Sequence, residues 1–485
     1  MSRPLELMRA AVTALRTQIA AVAGQSERTT LLGALLLASM VSGATGFVLT
    51  QYFSVDMLSS ILYPAKDCWL GLPTNIGQHC FNDYTVVIAG GMRPNPWDPL
   101  VYSQYAPALP GIRYPAAGMV PQVAFGLLGE WLGAPRLGLL GYLLVLVIAV
   151  LTPAFWAARG ARGVERIVVF IACGAAAAPA WAVVDRGNAV GFVVPIALVF
   201  LVALRRQRWG LVTLMVVLAA LVKPQFAVLG VALLAGRHWR LTGVAVVGGV
   251  VANLAAFLLW PSDLPHTIVQ AFGNLAQNDA EAVIQPYNVS FASGLFHLTH
   301  RLVPLFGYGV LLVVVVGVLA LGRRIPPVMA GIVLLAASAL ALPVTYQYYL
   351  VFALPIAALV VRDPDGPPGS GIFDRPAMVG GHRRAVGVCV SLAAALTIAA
   401  PIAWPGSGGL IPTAGKPGVI GLTDGVWVVP TSQTVTALLW LIASTAIIVS
   451  YARRPVCSAG PDASAVSVSR DDQSVHSVVS HGDSD

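Results

Sequence analysis

The chain has 485 residues, 57% of them hydrophobic and only 10% charged, with a mean hydropathy of +0.78. That composition excludes a water-soluble globule, because too little polar surface is present to cover one. The net charge of +8 calls for no nucleic-acid partner, since Lys and Arg gather in short loops between apolar runs, as they do in the cytoplasmic loops of membrane proteins.

Apolar runs long enough to cross about 30 Å of hydrocarbon recur along the chain. They predict an all-α polytopic membrane protein rather than a barrel, whose strands would alternate. The N-terminal segment 1–30 carries Arg3, Arg9, Arg16 and Arg28 without a small-residue cleavage site directly after the first run, so a retained first span and a cytoplasmic N-terminus are expected. About twelve spans follow, at 31–52, 137–157, 165–184, 189–204, 209–222, 225–236, 241–260, 304–322, 327–344, 347–361, 385–404 and 431–452, all within a transmembrane domain 31–452.

The segment 116–134 decides the topology. If it crosses, the arginines at 159–166, 205–208, 237–240 and 323–324 fall opposite the Arg-rich N-terminus, against the positive-inside tendency. If it is re-entrant, all of them are cytoplasmic, and this solution is adopted. The polar stretches then collect on the outer face: the first loop 53–115, Asp185–Asn188, Lys223–Gln225, the second large loop 261–303 and Thr345–Tyr349. The runs 209–222 and 225–236 are short for upright spans and predict a broken hairpin with Lys223 near its tip. The loop 362–384 and the tail 453–485 are cytoplasmic, and the tail, rich in Ser and Asp without periodicity, reads as disordered. No internal repeat is evident, which weighs against the alternative of a lipid-linked-sugar transporter or flippase.

The longest polar segment of the first half, Phe81–Pro115, holds Asp83, Asp98, Arg93 and Arg113. Asp83 opens a run able to form a short amphipathic helix and is either a proton acceptor or an N-cap. Asp98, between prolines, reads as a turn residue. Lys223, Arg186 and Arg113 are cations beside apolar runs, where a charge is paired, snorkelling or facing an anionic ligand such as phosphate. Cys173 and Cys389 act as small hydrophobes, whereas Cys68 and Cys80 flank a polar loop where a disulfide is plausible. No metal site is read: His297 and His300 have no third ligand at fixed spacing, and Asp363-Pro364-Asp365 lies in a Pro/Gly loop. The sequon at Asn288 is too common a pattern to use.

The series DYTVVIAGGMRPNPWDP, IRYPAAGMVPQVAFGLLG, DRGNAVGFVVPIALVFLVALRR, LMVVLAALVKPQFAVL followed by RHWR, YNVSFASGL and PVTYQYYLVFALP resembles, in order, glycosyltransferase family 87 over residues 30–360. These are membrane enzymes of the GT-C type that use polyprenyl-phosphate sugars and include actinobacterial mannosyl- and arabinofuranosyltransferases. The resemblance implies a GT-C-like bundle in the plasma membrane with its active site on the extracytoplasmic face and Asp83 as catalytic base. It implies inverting transfer of a hexosyl residue, mannosyl first and arabinofuranosyl as the alternative, to a lipid-linked or cell-wall glycan, with no metal or cofactor. Lys223, Arg186 and Arg113 would hold the donor phosphate; Asn188, Tyr346, Gln347, Tyr348, Asn288 and Tyr114 would contact sugar or acceptor. The sequence departs from the family pattern at DRGNAV, where a Gln-Asn pair is frequent, and at Tyr346-Gln347-Tyr348, where some mannosyltransferases carry histidines.

Overall fold

The computed structural model describes residues 25–53, 81–99, 111–276, 283–284, 288–373, 381–399, 402–414, 420–430 and 435–453. Among the described residues five helices are long and apolar enough to cross a membrane: Glu27–Val48, Pro135–Ala158, Trp239–Leu259, Phe306–Arg324 and Val435–Ala452. A sixth crossing results if Gly163–Ala175 and Ala178–Arg186, bent by 44°, are one span. The bend has a local cause, since the helix widens into a π turn at Ile171–Ala175 and restarts with Pro179 in its first turn. The remaining expected spans are shorter apolar helices: Ala189–Arg205, Trp209–Val222, Pro224–Ala235, Pro327–Leu340, Gln347–Val361 and Ala385–Ile398.

The short helices are short because they are enclosed. Pro327–Leu340 is buried at every position from Val328 onward, and Ala353–Val361 at all of its positions. A helix that is apolar all round has no face to offer water and is surrounded by others. The long helices around them do the reverse. Val246, Val247, Val250 and Val251 on one, and Leu312 and Val313 on another, are each more than half exposed. In water each such side chain would forgo about 1.5–3 kcal/mol of burial; lipid tails remove that cost, and the protein is membrane-embedded.

Hydrogen bonds fix which ends of the helices lie together. Tyr142, early in Pro135–Ala158, donates from Oη to the Gly187 carbonyl (3.0 Å), while Arg362 Nη1 donates to the carbonyl of Trp156 at the other end of that helix (2.6 Å). Arg205 pairs with Asp363 and Arg206 with Asp365, and Arg28 pairs with Glu165. One end of the bundle therefore collects the arginine-bearing loops, including both carboxylates of the 363–365 string. The other end collects Asp83, Tyr114, Arg186, Asn188, Lys223 and Tyr348.

The segment 116–134 holds one unbroken helix, Ala116–Trp131. Tyr114 before it bonds Asn188, and Tyr142 in the following helix bonds Gly187. Trp209–Val222 and the segment from Pro224 to Ala235 form the expected broken hairpin, with Lys223 extended at its tip (φ −148°, ψ 116°).

One element departs from the helical expectation. Ala403–Ala414 and Ile420–Pro430 pair as an antiparallel hairpin, where the glycines and prolines of AWPGSGGLIPTA hide any strand alternation. Cys68, Cys80 and the tail beyond Arg453 lie outside the described residues.

Trp97 ties the described part of the first loop to the bundle. Its indole is fully buried, with ring centroids 5.0 Å from Phe257 and 5.4 Å from Trp260, and its Nε1 donates to the Tyr114 carbonyl (2.9 Å). Trp260 Nε1 donates in turn to the Gly91 carbonyl (2.8 Å). Asp98 is a turn residue, accepting from Asn95 Nδ2 (2.9 Å). Replacing Trp97 with Ala is expected to cost about 3–5 kcal/mol, seen as a lowered melting temperature in detergent, with Trp97→Phe losing less.

Candidate active site

The helix Asn82–Gly91 starts after Phe81, whose backbone is left-handed (φ 43°), and no side chain caps it. Asp83 is therefore not an N-cap. Its position in the first turn suits the helix dipole, and its carboxylate turns sideways to the C-terminal end of Ala178–Arg186. That helix stops at Gly187 (φ 62°), a left-handed residue that glycine adopts without strain. A Cβ at Gly187 would also lie 2.8 Å from Cβ of Tyr84. The reversal puts Arg186 and Asn188 on either side of one turn, and both reach Asp83.

The geometry is well determined by its partners. Arg186 donates from Nη2 to Asp83 Oδ1 (3.0 Å) and from Nε to Oδ2 (3.3 Å), the two-pronged contact a planar guanidinium favours. Asn188 accepts the Val190 N–H on Oδ1 (2.8 Å), which leaves Nδ2 to donate to Asp83 Oδ2 (2.8 Å) and to Tyr114 Oη (3.0 Å). An ionised carboxylate offers about four acceptor positions. Three are taken, which leaves Oδ1 free for one further donor.

Lys223 completes the cluster from the hairpin tip. Its Nζ lies 3.9 Å from the Tyr114 ring centroid and 5.7 Å from that of Tyr349, while Arg186 lies 6.0 Å from Tyr348. Lys223 is only 7% exposed and has no ion pair among the described residues. Aromatic faces compensate a buried ammonium in part, by about 2 kcal/mol or more when desolvated. One carboxylate against two cations leaves the site one positive charge in excess. Burial first, and Asp83 next, push the Tyr114 phenol well above its ordinary range, so it keeps its proton and remains a donor.

The other expected residues fall into two groups. Arg113 is exposed beside Tyr114, and Tyr346 stacks obliquely on Tyr348 at 5.5 Å, with Gln347 buried between them in sequence. Asn288 is different: it is fully buried, donates to the Pro343 carbonyl (2.6 Å) and accepts from Ser290 and Thr345 backbone N–H groups (3.0 and 3.1 Å). It anchors the segment that leads into the 3-10 helix Gln347–Phe352, which carries Tyr348 and Tyr349. Gln122 and Tyr142 escaped the sequence reading. Both donate to the Gly187 carbonyl, at 3.0 Å each, and the available signal was a lone polar side chain in an apolar run. Among the described residues no three His, Cys, Asp or Glu side chains converge.

A profile of glycosyltransferase family 87 matches residues 113–343. Over that segment the chain is similar to glycosyltransferase family 87. No curated protein matches the chain. The match holds Tyr114, Arg186, Asn188, Lys223 and Asn288, and the fold brings Asp83 and Tyr346–Tyr349 to them from either side of it. That likeness, with the apolar helices, points to a membrane glycosyltransferase, a class that takes a sugar donor and an acceptor. An apolar cavity of about 410 Å³ is lined by Val216, Ala220, Pro224, Val231, Val250 and Phe257 among others. It starts one residue from Lys223.

Gly187→Ala is expected to destabilise by about 1–3 kcal/mol through backbone strain alone and by more through contact with Tyr84. Asn288→Ala strands the Ser290 and Thr345 N–H groups, while the Pro343 carbonyl keeps Ser290 Oγ, and is expected to cost about 1–3 kcal/mol per stranded group at most. Thermal melting of the purified variants checks both.

Proposed function

We propose that the protein transfers a hexosyl residue, mannosyl in the first instance, from a polyprenyl-phosphate sugar to a lipid-linked or cell-wall glycan on the extracytoplasmic face of the plasma membrane. The observation that carries the reading is Asp83, oriented by Arg186 and Asn188, in one cluster with a buried Lys223 whose neighbour Pro224 lines an apolar cavity. Arabinofuranosyl transfer from polyprenyl-phosphate arabinose uses the same machinery and is the alternative.

The chemistry follows from the groups present. The free position on Asp83 accepts the proton of an acceptor hydroxyl, whose oxygen attacks the anomeric carbon from the face opposite the phosphate. The carbon–oxygen bond to phosphate breaks, its electron pair leaves with polyprenyl phosphate, and the anomeric configuration inverts. Negative charge grows on the departing phosphate, and a preorganised cation in a partly dry site stabilises it. Arg186 is committed to Asp83, so that duty falls chiefly to Lys223, with Arg113 at the exposed margin. The isoprenoid chain lies in the cavity that begins at Pro224. Tyr348 and Gln347, with Tyr114 and Asn188, flank the space for sugar hydroxyls. Sidedness rests on the arginine-rich loops at the opposite end, which favour the cytoplasm.

Purified protein in lipid nanodiscs, given polyprenyl-phosphate mannose or polyprenyl-phosphate arabinose with a membrane glycan extract, tests the reading. Asp83→Asn is expected to lower transfer by about 100- to 10,000-fold while donor binding persists. Lys223→Gln is expected to weaken donor binding by about tenfold or more. Transfer from neither donor, with lipid-linked sugar crossing proteoliposomes instead, would replace the transferase by a flippase.

A further inference from the structure

We propose that the end of the bundle opposite Asp83 holds a second anion site, a cavity that takes a phosphate group presented by an anionic phospholipid or as free phosphate. The cavity has a volume of about 340 Å³ and is lined by Gln207, Trp209, Gly236, His238, Arg323 and Pro327, among others. That volume falls at the lower end of ligand sites, which run from about 300 to 1,000 Å³.

Its position separates it from the donor site. It lies at the Trp209 end of the helix Trp209–Val222, and Lys223 caps the other end. Fourteen residues at about 1.5 Å each put roughly 21 Å between the two. One phosphate cannot serve both.

The charge is one-sided. The loops 205–209, 236–240 and 322–325 contain seven arginines and no acidic residue. Arg205 and Arg206 are spent on Asp363 and Asp365. Arg323 lines the cavity and makes no ion pair among the described residues, so its guanidinium is available for the forked contact that phosphate accepts. The amide of Gln207 adds further donors, and the rings of Trp209 and His238, 4.1 Å apart, form one wall. Three helices also begin around this cavity, after Arg208, His238 and Pro326, each without a side-chain cap, and their amide ends add positive potential. Basic pockets between membrane helices are places where phospholipid head groups bind.

The test reads binding and not transfer, so it stands or falls apart from the transferase reading. The full chain is purified in detergent with phosphatidylglycerol or phosphatidylcholine, and lipid retention is measured by native mass spectrometry, with inorganic phosphate as competitor. Wild type is expected to retain phosphatidylglycerol in preference. Arg323→Gln, at an exposed position that leaves the core intact, is expected to lose about tenfold of that preference. Arg240→Gln removes an equal charge outside the cavity and is expected to change it by less than about twofold. Displacement by millimolar phosphate assigns the site to free phosphate, and resistance to it assigns the site to the lipid. Equal effects of the two variants, or no preference for the anionic lipid, would overturn the proposal.

Discussion

The contact between Asp83 and the Arg186–Asn188 turn is what the rest of the site depends on. It joins a short helix of the first loop to the end of a bent helix more than a hundred residues later, and it is made in a setting where an isolated charge is costly. Gly187 makes the contact possible by reversing the chain in a left-handed conformation. Gln122 and Tyr142 then hold that same residue by its carbonyl, so four elements meet at one peptide. The carboxylate is bonded on both oxygens, so in the proposed transfer little reorganisation would be left for the reaction itself.

Around this contact the protein uses its membrane setting in two ways. The core helices are too short to face lipid along their full length, and they are enclosed by longer ones whose valines and leucines point outward. Enclosure is also what permits irregular backbone at the hairpin tip, where Lys223 leaves the helix without exposing its peptide groups to hydrocarbon. The cavity that begins at Pro224 is the space left beside that broken segment.

Charge is partitioned between the two ends for different purposes. At one end a single carboxylate, an arginine and a lysine share a buried, aromatic-walled cluster with one positive charge in excess. At the other, arginines bind the Asp363–Asp365 string and the Trp156 carbonyl. Arg323, beside its own cavity, has no such duty.

Much of this was legible in the chain itself. Hydropathy located the five helices long enough to cross a bilayer and, in other expected runs, shorter apolar helices, since long apolar runs have few alternatives there. The scarcity of charge singled out Asp83, Arg186 and Lys223, because a charge beside an apolar run must have a reason. The paired chemistry of Asp83 was not legible. Residues 83, 186 and 188 are related only through a glycine turn and the packing of three helices, and no periodicity records that. The fold also bonds the Asn288 amide to backbone groups brought in from residues 290, 343 and 345, a support no spacing in the sequence records. Sequence determined which side chains were expensive to keep; tertiary structure alone decided which of them compensate one another, since compensation is a matter of a few ångströms across segments far apart in the chain.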